Sequence, residues 1–268
     1  MCAAPIGLLD SGVGGLSVWR EVIRLLPDYP TVYVSDNAFC PYGPRPAEEV
    51  IQRTKKISRF LIDKGCEMIV VACNTASAAA IDVLRQTFEI PFVGIEPAVK
   101  PAANLSKSGV VGVLATQGTF KGRLYLETSK RYAAHVQIIE QVGDGLVELV
   151  EQGLTEAPRT MELLHQYIDP MIDAGADHLV LGCTHYPFLI PAIQKIAQGR
   201  IVIDDPAPAV ALQVFALLSR KDMTPSQPTD PLYRFYATGT HNSIQALYGR
   251  MAVRDMASAQ FFSHLNLT

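Results

Sequence analysis

Thirteen residues ending at a cysteine, LIDKGCEMIVVAC (61–73), are echoed 110 positions later by MIDAGADHLVLGC (171–183). Ile62 and Ile172, Asp63 and Asp173, Gly65 and Gly175, Val70 and Val180, and Cys73 and Cys183 coincide across the pair. Each copy reads as the last turn of a helix, a glycine past its C-terminus, a short loop and an apolar strand that stops at the sulfur. The openings echo each other as well, since GLLDSG (7–12) and GVLATQG (112–118) are both strands that break into small polar residues. A chain written this way is constrained to fold as two similar halves, each delivering a thiol from the end of a strand.

The segments between these landmarks alternate in period. IGLLD, TVYVSD, EMIVVAC and IPFVGI read as strands apolar on both faces, and SVWREVIRLLP, AEEVIQRTKKISRFLIDKG and ASAAAIDVLRQTF read as helices. Such alternation predicts a parallel sheet covered by helices, and 268 residues are enough for two α/β domains. The first boundary falls in EPAVKPAANLSKSG, where Pro97 and Pro101 interrupt the pattern before it restarts at VVGVLAT. The second falls in IDDPAPAVA, at Pro206 and Pro208. A helix (ALQVFALLSR), a polar stretch (KDMTPSQPTDP), a strand (LYRFYATG) and a last helical piece follow.

Composition narrows the function classes. With 18% charged residues and a net charge of -3, the chain has no basic excess that would attract nucleic acid or anionic lipid. MCAAPIGLLDSG reads as neither a signal peptide nor an anchor, and no run approaches the ~18 apolar residues of a membrane-spanning helix. The cysteines (Cys2, Cys40, Cys66, Cys73, Cys183) form an odd set without CxxC or CxxxC spacing. That pattern argues against a disulfide framework and a zinc site alike, so the expectation is no metal and a reducing cytoplasm.

In open α/β sheets ligands sit at the carboxyl ends of strands, which is where both Cys73 and Cys183 are placed. A helix N-terminus begun by Asn74 or Thr75 in one half, and by Thr184 in the other, would favour thiolate and bind a carboxylate. Two related thiols on opposite sides of one ligand suggest proton removal from one face and return to the other, the logic of a two-base racemase. A carbon at ~3–3.5 Å from each sulfur requires the thiols about 6–7 Å apart. His185 could exchange a proton with Cys183, and Asp10, ending the first strand, could do so for Cys73 or hold a substrate ammonium.

Plainer readings compete. Cys66 is a structural residue in a turn, Cys40 lies beside PYG near the cleft without acting, and Cys2 is terminal. His135, His165, His178, His241 and His264 are surface or satisfied positions. The glycines of SGVGGLS permit a tight turn or, in a rival reading, bind a dinucleotide. Against that oxidoreductase, Ser17 stands where GxGxxG needs glycine or alanine, and Asp36 lies 24 residues beyond Gly12, not ~20. A cysteine hydrolase using Cys183 and His185 leaves Cys73 unexplained, and an amino-acid-binding protein needs neither sulfur.

DSGVGGLSV (10–18), PYG (41–43), ACNTAS (72–77), GVLATQGTFKGRLY (112–125) and GCTHYP (182–187) together resemble, in order, the motifs of the cofactor-independent aspartate/glutamate racemase family, and within it the glutamate racemases. The resemblance spans nearly the whole chain. It implies two similar parallel-sheet α/β domains related by pseudo-twofold symmetry, with the active site in the cleft between them. The first domain would be discontinuous, 1–97 plus 207–268, and the second would be 98–206. The activity implied is interconversion of L- and D-glutamate for peptidoglycan synthesis, without cofactor or metal, with aspartate as the alternative substrate and a homodimer as a possible assembly. Carried over, Cys73 acts on D-glutamate and Cys183 on L-glutamate, with Asp10 and His185 as their catalytic neighbours. Asp10, Ser11, Tyr42, Gly43, Asn74, Thr75, Thr116, Thr119, Thr184 and His185 would bind substrate. Two departures stand out: Gly143-Asp144 replaces the family's Cys-Pro before LVELVEQG, leaving Glu151 without an expected role, and IDDP replaces an IDSG-like crossing. The N-terminal extension of members activated by a cell-wall nucleotide precursor is lacking, so that regulation is not expected.

Overall fold

The computed structural model describes residues 4–132, 134–219, 232–250 and 259–267. Cys2 and the whole of the polar stretch KDMTPSQPTDP lie outside them. The first half runs β1 (Ile6–Asp10), α1 (Leu16–Leu25), β2 (Thr31–Ser35), α2 (Ala47–Asp63), β3 (Met68–Val71), α3 (Asn74–Thr87), β4 (Phe92–Gly94) and α4 (Val99–Leu105). The second runs β5 (Val110–Ala115), α5 (Gln117–Phe120), α6 (Arg123–Tyr132), β6 (Gln137–Val142), α7 (Leu146–Glu151), α8 (Pro158–Asp173), β7 (His178–Gly182), α9 (Ile190–Ala197) and β8 (Val202–Asp204). The chain closes with α10 (Ala207–Ser219), β9 (Tyr233–Ala237), α11 (Asn242–Arg250) and β10 (Ala259–Phe262).

Two sheets result, with strand orders β10-β9-β2-β1-β3-β4 and β6-β5-β7-β8. Every pairing in both is parallel. Within the first, β2-β1-β3-β4 has the same connectivity as β6-β5-β7-β8, so the repeat read from the sequence is a repeat of topology. It extends to backbone detail. Gly65 and Gly175 both take positive φ, +84° and +87°, past the ends of α2 and α8. Gly65 N–H donates to the Ile62 carbonyl and Cys66 N–H to that of Leu61, while Gly175 and Ala176 donate to Ile172 and Met171. Each is a Schellman-type cap, which a Cβ at the left-handed residue would strain.

The strands are apolar on both faces because both faces are covered; β1, β2, β3 and β7 are buried at every residue. Trp19 on α1 is fully buried and stacks edge-on against Tyr233 and Phe235 of β9, which ties the returning C-terminal strand to the first sheet. α10 packs along α1. Three elements depart from the sequence reading. α10 already begins at Ala207, so Pro208, read as an interruption, lies in its first turn. The proline-bearing segment 96–109 contains α4, because Pro101 falls in its first turn, where an N–H is not needed. β10 adds an edge strand to β9 that its short polar surroundings did not reveal. Among the described residues, no helix is long and apolar enough to cross a membrane.

Candidate active site

β1 and β3 are neighbours in one sheet, β5 and β7 in the other, and their carboxyl ends face a common cavity. Its walls are Ser11, Pro41, Tyr42, Gly43, Cys73, Asn74, Thr75, Thr116, Val147, Cys183, Thr184 and His185, around a free space of only about 10 Å³. That is about the room one water needs, so the walls stand nearly closed against one another. Both sulfurs therefore line one cavity. Of the residues picked from the sequence, Asp10 and Thr119 do not line it; they stand behind the wall.

The two thiols sit in different electrostatic surroundings. Cys73 is itself the N-cap of α3, its Sγ accepting from Ala76 N–H at 3.4 Å, so the helix begins one residue earlier than expected. Its thiol hydrogen points toward Ser11 Oγ at 3.9 Å. The sequence reading had the helix N-terminus favouring thiolate here, and the structure reverses it. Burial, reinforced by the neighbouring Asp10, outweighs the N–H groups and pushes Cys73 up to about 12. Asp10 is itself buried, with Oδ1 accepting from Gly12 N–H at 2.7 Å and Oδ2 from Thr184 Oγ1 at 3.1 Å. Burial raises its carboxyl to about 6, despite the opposing pull of His185 and Gly12.

Cys183 meets a cation instead. Its Sγ lies 3.7 Å from Nδ1 of His185, whose Nε2 lies 2.7 Å from Oε1 of Glu151. Burial works against charge on this imidazole, yet hydrogen bonding to Cys183, Cys40 and Glu151 holds it well above the usual histidine range. Glu151 is reciprocally held below the usual carboxylate range: the hydrogen bond and charge of His185, the Val13 N–H at 2.7 Å and the Cys40 thiol overcome its burial. No α-helix begins at Thr184. A 3₁₀ turn, Tyr186–Leu189, precedes α9, and the Thr184 hydroxyl is spent on Asp10. The imidazolium thus replaces the helix N-terminus expected on this side.

Glu151 is the residue missed from the sequence. A single glutamate ending a short amphipathic helix looks like a solvated residue, and only the fold carries it to the glycine-rich loop. The same contact revises the reading of SGVGGLS. Gly12, Gly14 and Gly15 have ordinary negative φ; they are needed for close approach. A Cβ on Gly12 would lie 1.9 Å from Glu151 Oε1, and one on Gly14 would lie 2.3 Å from His185 Nδ1.

The cavity's remaining polar groups suit a small zwitterion. Asn74 is 3% exposed, and both its side-chain Oδ1 and Nδ2 are buried without a partner, a state that a ligand would relieve. The first N–H groups of α3 have no intrahelical acceptor and can take a carboxylate. Thr75 Oγ1 and Thr116 Oγ1 meet at 2.9 Å across the sheets, Thr116 meets Thr119 at 2.9 Å, and Thr119 donates to the Gly182 carbonyl at 3.3 Å. Tyr42 is anchored from behind: its hydroxyl donates to Asp36, which also receives two bonds from Arg53 and one from Thr238. Cys66 is buried without lining the cavity, and His178 pairs with Asp204 at 2.8 Å. The four described cysteines are free thiols.

Comparison with known proteins gives this arrangement a context. The family described as Asp/Glu/Hydantoin racemase matches residues 6–213. A glutamate racemase of Roseiflexus sp. (strain RS-1) is 50% identical over 222 residues, covering 82% of each chain. The crystal structure of Escherichia coli glutamate racemase in complex with L-glutamate and the activator UDP-MurNAc-Ala is similar with a TM-score of 0.84 at 31% identity, covering 97% of this chain and 98% of that one. A Francisella tularensis glutamate racemase solved with D-glutamate is similar with a TM-score of 0.83 at 26% identity, covering 99% and 98%.

Proposed function

The chain belongs to the Asp/Glu/hydantoin racemase family, and from that premise we propose that it interconverts L- and D-glutamate with Cys73 and Cys183 as the two acid/base residues. The observation that carries this reading is that topologically equivalent strands deliver both sulfurs to one small cavity beside the unpartnered side chain of Asn74. With L-glutamate bound, the Cys183 thiolate, facing imidazolium, takes the α-proton. The Cα–H bond breaks, an S–H bond forms, and charge moves onto the substrate carboxylate, where the N-terminus of α3 and Asn74 stabilise it. Cys73, held as a thiol, gives its proton to the opposite face; its S–H bond breaks and the inverted Cα–H bond forms. The cycle leaves the protonation states of the two thiols exchanged, which is the state ready for D-glutamate. In this scheme Asp10 raises the proton affinity of Cys73, His185 is the partner that Cys183 faces, and Glu151 positions His185.

The reading extends to organisation. Residues 1–97 plus 207–268 would form one domain and 98–206 the other, with the cleft as their contact. Four free thiols suit a reducing cytoplasm, where D-glutamate would feed peptidoglycan synthesis. Incubating reduced protein with L-glutamate in deuterated water should yield D-glutamate carrying deuterium at Cα, with aspartate run in parallel. Absence of α-exchange from folded, reduced protein would refute the proposal, and faster exchange with aspartate would reassign the substrate.

A further inference from the structure

On the far side of His185 from Cys183, three side chains remote in sequence converge. A sulfur from Cys40, a carboxylate oxygen from Glu151 and a ring nitrogen from His185 all lie within 4.8 Å of one another. They come from the segment after β2, the end of α7 and the turn after β7, so both sheets contribute. Cys40 Sγ is 3.6 Å and His185 Nε2 is 2.7 Å from Glu151 Oε1.

Thiolate, imidazole and carboxylate form a mixed donor set suited to Zn²⁺ and related ions. Tetrahedral bonds of about 2.0–2.3 Å hold such donors roughly 3.3–3.6 Å apart. The Cys40–Glu151 separation already has that span, and the His185–Glu151 pair would open by roughly half an ångström. Gly12 forms one wall, where any Cβ would stand 1.9 Å from Glu151 Oε1 and 3.0 Å from Cys40 Sγ. Val13 N–H, donating to the Glu151 carboxylate at 2.7 Å, supplies the outer hydrogen bond that fixes a ligating carboxylate.

We propose that Cys40, Glu151 and His185 bind a thiophilic divalent cation, of which Zn²⁺ is the type, and that an ion held from both sides of the cleft arrests racemisation. Coordination expels the Cys40 thiol proton and the Nε2 proton of His185 to solvent and forms metal–sulfur, metal–nitrogen and metal–oxygen bonds. Because the ligands reach in from both sheets, the ion ties the two sides of the cleft together, and a cavity with only about 10 Å³ of free space has to open to admit a substrate. The inhibition rests on the racemase reading; the binding does not. Ligands at 40, 151 and 185 have no motif spacing, which is why the sequence pointed away from zinc.

Titrating the reduced, chelator-stripped full chain with Co²⁺ tests the site. The expected result is one equivalent bound, with a thiolate-to-cobalt band in the near ultraviolet that is lost in Cys40→Ser and kept in Cys66→Ser and Cys183→Ser. Glu151→Gln, as a second variant, should shift the visible cobalt bands. No such band in the wild type, or a band that survives in Cys40→Ser, overturns the site. Zn²⁺ should inhibit racemisation reversibly by chelator; binding without inhibition overturns the arrest alone. A wild type that binds Co²⁺ but never racemises glutamate refutes the racemase reading and leaves the site standing.

Discussion

Replacing Asp10 with asparagine should stabilise the protein and slow it, and the stabilisation should grow with pH. Asp10 is fully buried, and its carboxyl is raised from 3.8 to about 6. Below about pH 3 it is protonated whether the chain is folded or not. Between about pH 4 and 6 the unfolded chain releases the proton while the folded chain retains it, so stability falls as pH rises through that window. Above it the full penalty is present. The rise from 3.8 to about 6 corresponds to roughly 3 kcal/mol. Asparagine has nearly the same shape, can accept the Gly12 N–H and can donate to Thr184, and it does not titrate. Urea unfolding followed by the fluorescence of Trp19, the single tryptophan, should show the variant gaining on the wild type by about 3 kcal/mol between pH 3 and pH 8. Parallel stability curves over that range would refute the assignment of the raised carboxyl to Asp10.

Three further outcomes are expected. Glu151→Gln removes the anion that keeps His185 charged, so kcat/KM for L-glutamate should fall by roughly 10²-fold and the alkaline limb of its pH profile should move to lower pH, as read from initial rates across pH. Gly12→Ala drives a Cβ into the Glu151 carboxylate, so it should reproduce that pH shift and lower stability by about 1–3 kcal/mol in urea unfolding. Asp36→Ala leaves the mostly buried Arg53 guanidinium and the Tyr42 hydroxyl without their acceptor; it should cost roughly 3–5 kcal/mol in the same assay.

The sequence made the periodic and repeated features legible. Apolar strands buried on both faces, glycine caps at Gly65 and Gly175 and the paired strand ends at Cys73 and Cys183 are local patterns, and the structure has each of them. What it hid depends on long-range approach. Glu151 reaches Val13 and His185 across separations of 138 and 34 residues, which no local pattern encodes. The glycines at 12, 14 and 15 looked like turn formers because conformational freedom is glycine's usual use; here the missing Cβ matters more. Cys73 was misjudged electrostatically because a helix N-terminus is visible in sequence and burial beside a carboxylate is not.

Single-cysteine variants in deuterated water test the central claim most directly, with α-hydrogen exchange followed separately from each enantiomer. With Cys73→Ser, exchange from D-glutamate should suffer more than exchange from L-glutamate, and Cys183→Ser should show the opposite bias. Variants that slow both enantiomers equally, or leave both untouched, would mean that the two sulfurs do not serve opposite faces of one α-carbon.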